Sequence, residues 1–373
     1  MRFSGRLPAT DATTLNALGR LLSEKRRAGT NLLDLTLSNP TAAGIIYPEA
    51  EILAALAPPE ALRYAPDPRG LESARVAVGG AAADDVLLTA STSEAYAYLF
   101  KLLCDPGDVV LMPEPSYPLF AYLTALEGVQ AAPYRLAYDG AWHIDFASLE
   151  ENVAKARAIL VVSPNNPTGS YLKRGELERL GSYGLPLIVD EVFADYPLDV
   201  PADAVSRVAR PDSPVLTFGL GGLSKSAGLP QLKLGWIVVG GAGRAEALER
   251  LELIADSYLS VATPVQLAAP RLVAAGATIR QSILARVRRN RDALAVRLPP
   301  ALELLPAEAG WSAIVRFPAT RTDEELALAL LRDRDTLVQP GYFFDMPAGT
   351  FLVISLLPEP HVFDAGVAAI VQL

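Results

Sequence analysis

The sequence predicts an α/β protein in which a mainly parallel sheet lies between two layers of helices, with a smaller α+β unit beside it. The first observation is length, because 373 residues at about 100–200 residues per domain predict two or three units. The second is a regular alternation of short apolar runs with helical patterns. The third is that several runs are continuously apolar, as is typical of strands buried on both faces of a parallel sheet.

Seven apolar runs predict the strands of the larger sheet. Helical patterns fill several of the gaps between them, so the connections are expected to cross over the faces of the sheet. The predicted strands are 86–88, 109–112, 129–134, 159–162, 187–189, 215–218 and 234–239. The predicted helices between them are 93–103, 118–126, 148–155 and 175–180.

The two ends of the chain have different patterns. Before the larger sheet we predict a helix, a short strand and a second helix, at 15–27, 31–37 and 49–57. After Pro264 we predict two helices, at 265–274 and 278–298, then strands at 313–317, 336–338 and 350–356 with a helix at 323–332. The predicted division is 1–45 for an N-terminal arm and part of the small domain, 46–275 for the large domain and 276–373 for the C-terminal small domain.

Composition excludes several classes of protein. A net charge of −9 and a pI near 5.0 argue against a nucleic-acid partner. No stretch approaches the roughly 20 apolar residues of a membrane span, and the opening residues MRFSGRLPATDATT lack the apolar core of a signal peptide, so we expect no membrane contact and a cytoplasmic location. The single cysteine, Cys104, predicts no internal disulfide. His143 and His361 lack metal-ligand spacing, so no metal is predicted.

The segment 219–240, GLGGLSKSAGLPQLKLGWIVVG, is the strongest candidate for chemistry. A strand-like run leads into a glycine-rich turn that presents Ser224 and Lys225, and Lys233 follows eight residues later. Only 6 of the 33 basic residues are lysine, so two lysines in one apolar segment need a reason. Schiff-base formation requires lysine and excludes arginine, because the amine must lose its proton and attack a carbonyl. The alternative is a surface loop with two solvated lysines.

Three more polar clusters follow predicted strands, where ligands bind in open α/β sheets. Ser91, Thr92, Ser93 and Glu94 match a capping box at a helix N-terminus, which is also an anion site. The stretch 163–169, SPNNPTG, holds two asparagines between prolines. The pair Asp190–Glu191 ends an apolar strand, where a carboxylate is costly unless it is paired. Each cluster alone has an ordinary structural explanation, whereas the four together predict one site.

The order SPNNPTG, DEVF and SKSAGLPQLKLG resembles the class I/II aminotransferases, a family of fold-type I pyridoxal-phosphate enzymes. The resemblance extends over most of the chain, through YAPDPRG, TASTSEA followed by PGD, and PSYP. It implies the PLP-dependent transferase-like fold, pyridoxal 5'-phosphate as the cofactor, and small-molecule substrates.

The resemblance also implies roles for individual residues. Lys225 carries the cofactor as a Schiff base and then moves the substrate proton. Asp190 pairs with the pyridine nitrogen, so that the ring can accept electrons. Asn166 donates to the phenolic oxygen of the ring, and Tyr117 stacks on its face. Tyr64 reaches the phosphate of a neighbouring subunit, which implies a homodimer with shared active sites. The remaining cofactor contacts implied are Ser91, Thr92, Ser93, Phe193, Ser224 and Lys233.

Four positions depart from the family pattern. Phe193 stands where relatives have a tyrosine that donates to the phenolic oxygen, and Lys233 where they have an arginine on the phosphate. Gly222 replaces a frequent phosphate-binding serine. Val353, in the strand FLVIS, occupies the position of the arginine that grips the substrate α-carboxylate. The candidate substrate contacts are therefore Asn39, Arg316 and Tyr342, with Arg316 as the replacement cation.

The predicted function is a pyridoxal-phosphate-dependent aminotransferase that transfers an amino group between an amino acid or amine and a 2-oxo acid. A lyase or decarboxylase on the same fold is the alternative, because the motifs fix the cofactor and not the fate of the carbanion. A ligand-sensing module of a transcription regulator would need a basic N-terminal domain, which the roughly 60 residues before Tyr64 do not resemble. A catalytically dead scaffold is disfavoured by the presence of Asn166, Asp190 and Lys225. The sequence leaves the donor, the acceptor and the pathway open.

Overall fold

The structure is a computed structural model that describes residues 4–7 and 15–373. Its helices, connected in places by short 3₁₀ turns, are α1 Ala17–Arg27, α2 Glu49–Ala55, α3 Glu72–Gly79, α4 Thr92–Leu103, α5 Phe120–Glu127, α6 Phe146–Glu150, α7 Arg174–Ser182, α8 Leu223–Ser226, α9 Arg244–Asp256, α10 Thr263–Arg297, α11 Asp323–Arg334 and α12 Pro360–Ile370. Its strands are β1 Leu33–Asp34, β2 Val86–Thr89, β3 Val109–Glu114, β4 Gln130–Tyr138, β5 Trp142–Ile144, β6 Ala156–Val162, β7 Leu187–Asp190, β8 Thr217–Gly222, β9 Gly235–Gly240, β10 Glu303–Leu304, β11 Ser312–Phe317, β12 Thr336–Leu337, β13 Gln339–Pro340 and β14 Thr350–Ser355.

The larger sheet has eight strands in the order β2-β9-β8-β7-β6-β3-β4-β5. Its middle is parallel, since β4 pairs with β3, β3 with β6, β6 with β7 and β7 with β8 in the same direction. Both ends are antiparallel. Every residue of β7 and β8 is buried, because helices cover both faces. The predicted three-layer α/β fold with a mainly parallel sheet is confirmed.

Two apolar clusters hold the helices against this sheet. On one face, side chains of α4 and α9 such as Leu99 and Leu251 pack on β-strand residues such as Ile188. On the other face, Leu180 of α7 belongs to a cluster that also contains Val353 of β14. The core of the large sheet is therefore continuous with the small domain on that side.

The small domain contains a four-stranded antiparallel sheet in the order β10-β11-β14-β13, with α11 and α12. The N-terminal part of the chain reaches this domain, because β1 pairs in parallel with β12. The predicted division into 1–45, 46–275 and 276–373 stays a prediction, and residues 275 and 276 both lie within α10. No helix in the described part of the chain is both long enough and apolar enough to cross a membrane.

The prediction of two helices at 265–274 and 278–298 was wrong, because α10 runs unbroken through Gly276. Gly276 does not end the helix but allows another segment to pack closely against it. A Cβ built at Gly276 would lie 2.3 Å from the Cβ of Ala227, two residues after Lys225. The helices α3, α8, α9 and α12 and the strands β5, β10 and β13 were not predicted from the sequence.

Gly276→Ala is therefore expected to destabilise the protein. Overpacking costs about 1–3 kcal/mol, which exceeds the gain of up to about 1 kcal/mol from removing a helical glycine. Urea denaturation measures the change. The matched control is Gly175→Ala near the start of α7, where a new Cβ meets no atom within 4 Å and a small stabilisation is expected. Equal stability of Gly276→Ala and the wild type would show that α10 can move away without cost.

Candidate active site

A cavity of about 550 Å³ lies between the carboxyl ends of the large sheet and the small domain. It is bounded by the ends of β6 and β7, the N-terminus of α4, the α8 loop, and segments of the small domain. Ten of the residues predicted from the sequence line it, namely Ser91, Thr92, Ser93, Tyr117, Asn166, Asp190, Phe193, Ser224, Lys225 and Lys233. The four polar clusters thus meet in one place, as expected for strand ends of one sheet.

Lys225 lies on the short helix α8, directly after β8. Its backbone carbonyl accepts a hydrogen bond of 2.5 Å from the hydroxyl of Tyr196, which fixes the turn. Its Nζ lies 4.6 Å from the ring centroid of Trp311 and 5.5 Å from that of Phe193. No carboxylate of the described residues lies within 4.0 Å of Nζ. Burial among these rings lowers the pKa of Lys225 to about 8, against the opposing effect of Asp190.

Asp190 ends β7 and is 8% exposed. Its Oδ2 accepts a 2.8 Å hydrogen bond from the hydroxyl of Tyr96, and its Oδ1 accepts one of 3.1 Å from the backbone N–H of Val192. Burial raises the pKa of Asp190, while these two donors and the charge of Lys225 lower it. The sequence analysis missed Tyr96, which lies in the second turn of α4 among apolar residues that carry no signal for a polar contact.

The loop after β6 gives its two asparagines different tasks. Asn165 is buried and holds the loop together, since its side chain accepts from Ser116 Oγ at 2.8 Å and donates to Pro115 O and Thr168 Oγ1 at 2.9 Å each. The side chain of Asn166 lines the cavity, and its Oδ1 accepts from Ser312 Oγ of β11 at 3.1 Å. No described residue accepts a hydrogen bond from Asn166 Nδ2, which is therefore available as a donor to a ligand.

The N-terminus of α4 is built to receive an anion. Ser91 Oγ accepts from Glu94 N at 3.2 Å, as predicted for a helix cap. The side chain of Glu94 in turn accepts from Ala90 N at 2.6 Å, whereas a capping box would use the N–H of Ser91. Gly235 lies against this turn, because a Cβ there would come within 2.8 Å of the Ser91 carbonyl carbon. Lys233, two residues before that glycine, adopts a left-handed conformation with φ 51°. A cation thus lies on the same side of the cavity as the free N–H groups of the helix.

These features fit pyridoxal phosphate. The cofactor needs an amine that loses its proton readily, an acceptor for a protonated ring nitrogen and donors for a phosphate. Lys225 could supply the first, Asp190 the second, and the N-terminus of α4 with Lys233 the third.

Four predicted residues lie outside the cavity. Tyr64 is 82% exposed and lines a separate groove near Leu259. Asn39 is exposed, and its side chain accepts from Thr41 N at 3.1 Å as a cap. Tyr342 accepts a 3.1 Å hydrogen bond from Asn16 Nδ2, whereas its neighbours Phe343 and Phe344 do line the cavity.

Arg316, the predicted replacement for the missing arginine, does not reach the cavity. It lies on the same face of β11 as Ser312 but four residues further on, which is roughly 13 Å along a strand. There it is paired with Glu303, the residue directly opposite it on β10. The expected role of Arg316 as the replacement cation is not supported, because its guanidinium is paired with Glu303 and does not reach a ligand in the cavity.

The small domain contributes cavity residues that the sequence analysis did not find. They are mostly short uncharged side chains and lie far apart in the sequence, so no local motif marks them. They are Thr36, Ser38, Trp311, Ser312, Gln339 and Ser355.

A lysine and a carboxylate follow neighbouring strands at one cavity between the two domains, an arrangement typical of enzymes in which a lysine amine reacts with a carbonyl group. Residues 67–362 match the family model for aminotransferase class I and II, and the chain belongs to that family. The predicted family, the aminotransferase activity and the fold are confirmed. Membership of this family implies a pyridoxal-phosphate cofactor.

Named relatives agree with this assignment. A glutamate-pyruvate aminotransferase, AlaA, from Haemophilus influenzae is 26% identical over 92% of this chain and 91% of its own length. An alanine aminotransferase from Mycobacterium tuberculosis is 29% identical over 88% of this chain and 82% of its own length. The solved alanine aminotransferase from Pyrococcus furiosus superposes with a TM-score of 0.84 over 100% of this chain and 99% of that one, at 23% identity, and so shows the same fold.

The pKa of about 8 predicts how the cofactor-free protein reacts with an amine reagent. Below pH 8 the Lys225 amine is mostly protonated and unreactive, so its labelling rate, followed by mass spectrometry of its peptide, should rise through about pH 8. Asp190→Asn removes a charge that favours the ammonium form, so the midpoint should move to lower pH.

The matched control for this titration is Glu191→Gln. The Glu191 carboxylate is also buried, but it does not line the cavity and accepts from Val208 N at 2.6 Å, so its removal should leave the midpoint unchanged. A midpoint that is the same in Asp190→Asn as in the wild type would contradict the electrostatic coupling of Asp190 to Lys225.

Proposed function

We propose that this aminotransferase holds pyridoxal 5'-phosphate on Lys225 and uses it to move an amino group between an amino acid or amine and a 2-oxo acid. The observation that carries the proposal is the Lys225 amine, which shares one cavity with Asp190 and has a pKa lowered to about 8. A surface lysine stays protonated at neutral pH, whereas the Lys225 amine is deprotonated, and so nucleophilic, in a fraction of the molecules.

Pyridoxal phosphate, when bound, supplies an aldehyde and an electron-accepting ring. Lys225 is the nucleophile toward that aldehyde and, when released by the substrate, the base that holds the substrate proton on Nζ. Its amine lies beside the Trp311 and Phe193 rings, and these apolar neighbours limit the groups to which it could pass the proton.

Asp190 would hold the ring nitrogen in its protonated form. The donors Tyr96 and Val192 N–H orient its carboxylate and favour the ionised state against burial. Asn166 Nδ2 is the donor we assign to the phenolic oxygen, and the half-exposed ring of Tyr117 is the stacking partner. The phosphate contacts we propose are Ser91, Thr92, Ser93, Ser224 and Lys233.

A lyase or decarboxylase fate has no observation in its favour, since the named relatives are aminotransferases. The same relatives make alanine, glutamate and pyruvate the first compounds to test here. A sensor module and a dead scaffold are disfavoured for the same reason, and because Lys225, Asp190 and Asn166 are all at the cavity.

We also propose a homodimer with shared active sites and a cytoplasmic location. Support for the dimer comes from large apolar side chains left in solvent, with Ile46 at 88%, Leu62 at 92% and Tyr64 at 82% exposed. A second copy that covers these residues would bring Tyr64 toward a neighbouring site. Sedimentation analysis of the wild type and Tyr64→Ala tests the assembly.

Borohydride reduction after incubation with pyridoxal phosphate should trap the cofactor on Lys225. Peptide mapping by mass spectrometry locates the adduct, which should disappear in Lys225→Ala. Lys155→Ala is the control, because Lys155 is exposed and lies outside the cavity. An adduct on Lys233 in the wild type would refute the assignment.

Phe193→Tyr should lower the pH at which the absorbance of the loaded protein changes. An added hydroxyl at this cavity position donates to an oxygen anion and stabilises it, so its proton is lost at lower pH. Tyr196 does not already fill this role, because its hydroxyl is bonded to the Lys225 carbonyl. A spectrophotometric titration measures the shift, and an unchanged or raised midpoint would contradict the expectation.

A further inference from the structure

The small-domain wall of the cavity is built from rows of residues that face the same way. In antiparallel strands, directly opposite residues lie on one face. Ser312 is opposite Ser355, and both line the cavity. One row further on, Val353 lies between Ile314 on β11 and Gln339 on β13.

The rows contain no free cation. Val353 is 1% exposed and belongs to the apolar cluster that joins the two domains. Gln339 is the member of its row that lines the cavity. The third row contains Arg316, which is already paired with Glu303. A ligand against this wall meets one amide, hydrocarbon and the oxygens of two hydroxyls whose protons are donated to Asn166 Oδ1 and to the backbone carbonyl of Leu37.

Other cations are committed elsewhere. Among the described residues, the only cations that line the cavity are Lys225 and Lys233. Lys225 is the nucleophile, and Lys233 lies by the turn at the α4 N-terminus. Arg286, on the small-domain side, lies outside the cavity and donates to the backbone carbonyls of Ala43 and Leu357 at 3.1 and 3.2 Å.

A carboxylate placed against such a wall loses water and gains no charged partner, which is unfavourable. A hydroxyl or amide group loses less water, and its O–H or N–H can donate to Ser312 Oγ, whose own proton is directed to Asn166 Oδ1, or to the amide oxygen of Gln339, whereas a carboxylate can only accept. Aromatic side chains of Phe343 and Phe344 next to the wall add apolar contact, which suits an uncharged group.

We infer that the preferred amino compound is a primary amine whose amine-bearing carbon carries an uncharged hydrogen-bonding group, such as hydroxymethyl or carboxamide, in place of a carboxylate. The inference rests on the proposed function and names its substrate class. In the exchange, the amine-bearing carbon loses its nitrogen and one proton and becomes a carbonyl carbon. The nitrogen and two electrons pass to the carbonyl carbon of the acceptor, which becomes the new amine. The oxygen that the acceptor loses is released as water, and water supplies the carbonyl oxygen of the oxidised donor. A 2-oxo acid acceptor meets the same wall and should need a high concentration.

The first experiment compares alanine, alaninol and alaninamide, which share one carbon skeleton, in single turnovers of the loaded enzyme. Alaninol or alaninamide should give a kcat/KM at least tenfold above that of alanine. The second measures binding of propanoate and propanamide to the loaded enzyme by calorimetry, where propanamide should bind more tightly. The third repeats both measurements with Gln339→Arg, which places a guanidinium beside Val353 and should tighten propanoate binding at least tenfold.

Arg316→Ala is the control and should leave all ratios unchanged, because its guanidinium is outside the cavity. The inference fails if alanine is the best of the three substrates, or if propanoate binds the wild type more tightly than propanamide, since either result means that a cation reaches the wall. These wild-type comparisons decide the question even if Gln339→Arg does not fold. The proposed function fails separately, through the absence of a trapped adduct on Lys225.

Discussion

The site depends on placing an amine and a carboxylate together inside the protein, at the ends of two adjacent parallel strands. β7 delivers Asp190, and β8 runs beside it and leads into the turn of Lys225. Burial acts on the two groups in opposite directions, raising the pKa of the acid and lowering that of the amine, while each charge favours the other. The result is an ionisable pair whose amine is poised near the working pH of a cell, which isolated side chains do not provide.

This arrangement has a structural cost that the surrounding chain offsets. The Tyr96 hydroxyl and the Val192 N–H donate hydrogen bonds to the Asp190 carboxylate. The Tyr196 hydroxyl donates to the backbone carbonyl of Lys225 and so fixes its turn. Gly235 and Gly276 allow backbone to approach backbone so closely that a single methyl group would not fit. The precision of the site therefore comes from small residues and buried hydroxyls as much as from the groups that react.

The two domains are joined next to the site by a part-buried ion pair. Lys173 before α7 contacts Glu308 at 2.6 Å, and backbone hydrogen bonds link Ala309 to Gly169 and Gly310 to Tyr196. The next residue is Trp311, whose ring lies against Lys225. Loss of one partner of such an ion pair leaves the other part-buried and unpaired, so this contact helps to keep Trp311 beside the amine.

The sequence by itself determined the fold class, the order of the strands along the chain, and the residues that meet at the sheet edge. It could do so because hydrophobic periodicity and strand-end motifs are local, and because Lys225, Asp190 and Asn166 each follow a strand directly. It did not determine that α10 is continuous, since a glycine that breaks a helix and one that permits a close contact look alike.

Only the tertiary structure decided which residues line the cavity on the side of the small domain. Ser312, Gln339 and Ser355 come from three strands of the small domain, and Thr36 and Ser38 come from the N-terminal segment. Their meeting depends on pairing register, which places Arg316 two rows too far along and beside Glu303. Register and packing depend on strands that are distant in sequence. Whether Arg316 reaches the cavity therefore could not be decided before the pairing of those strands was known.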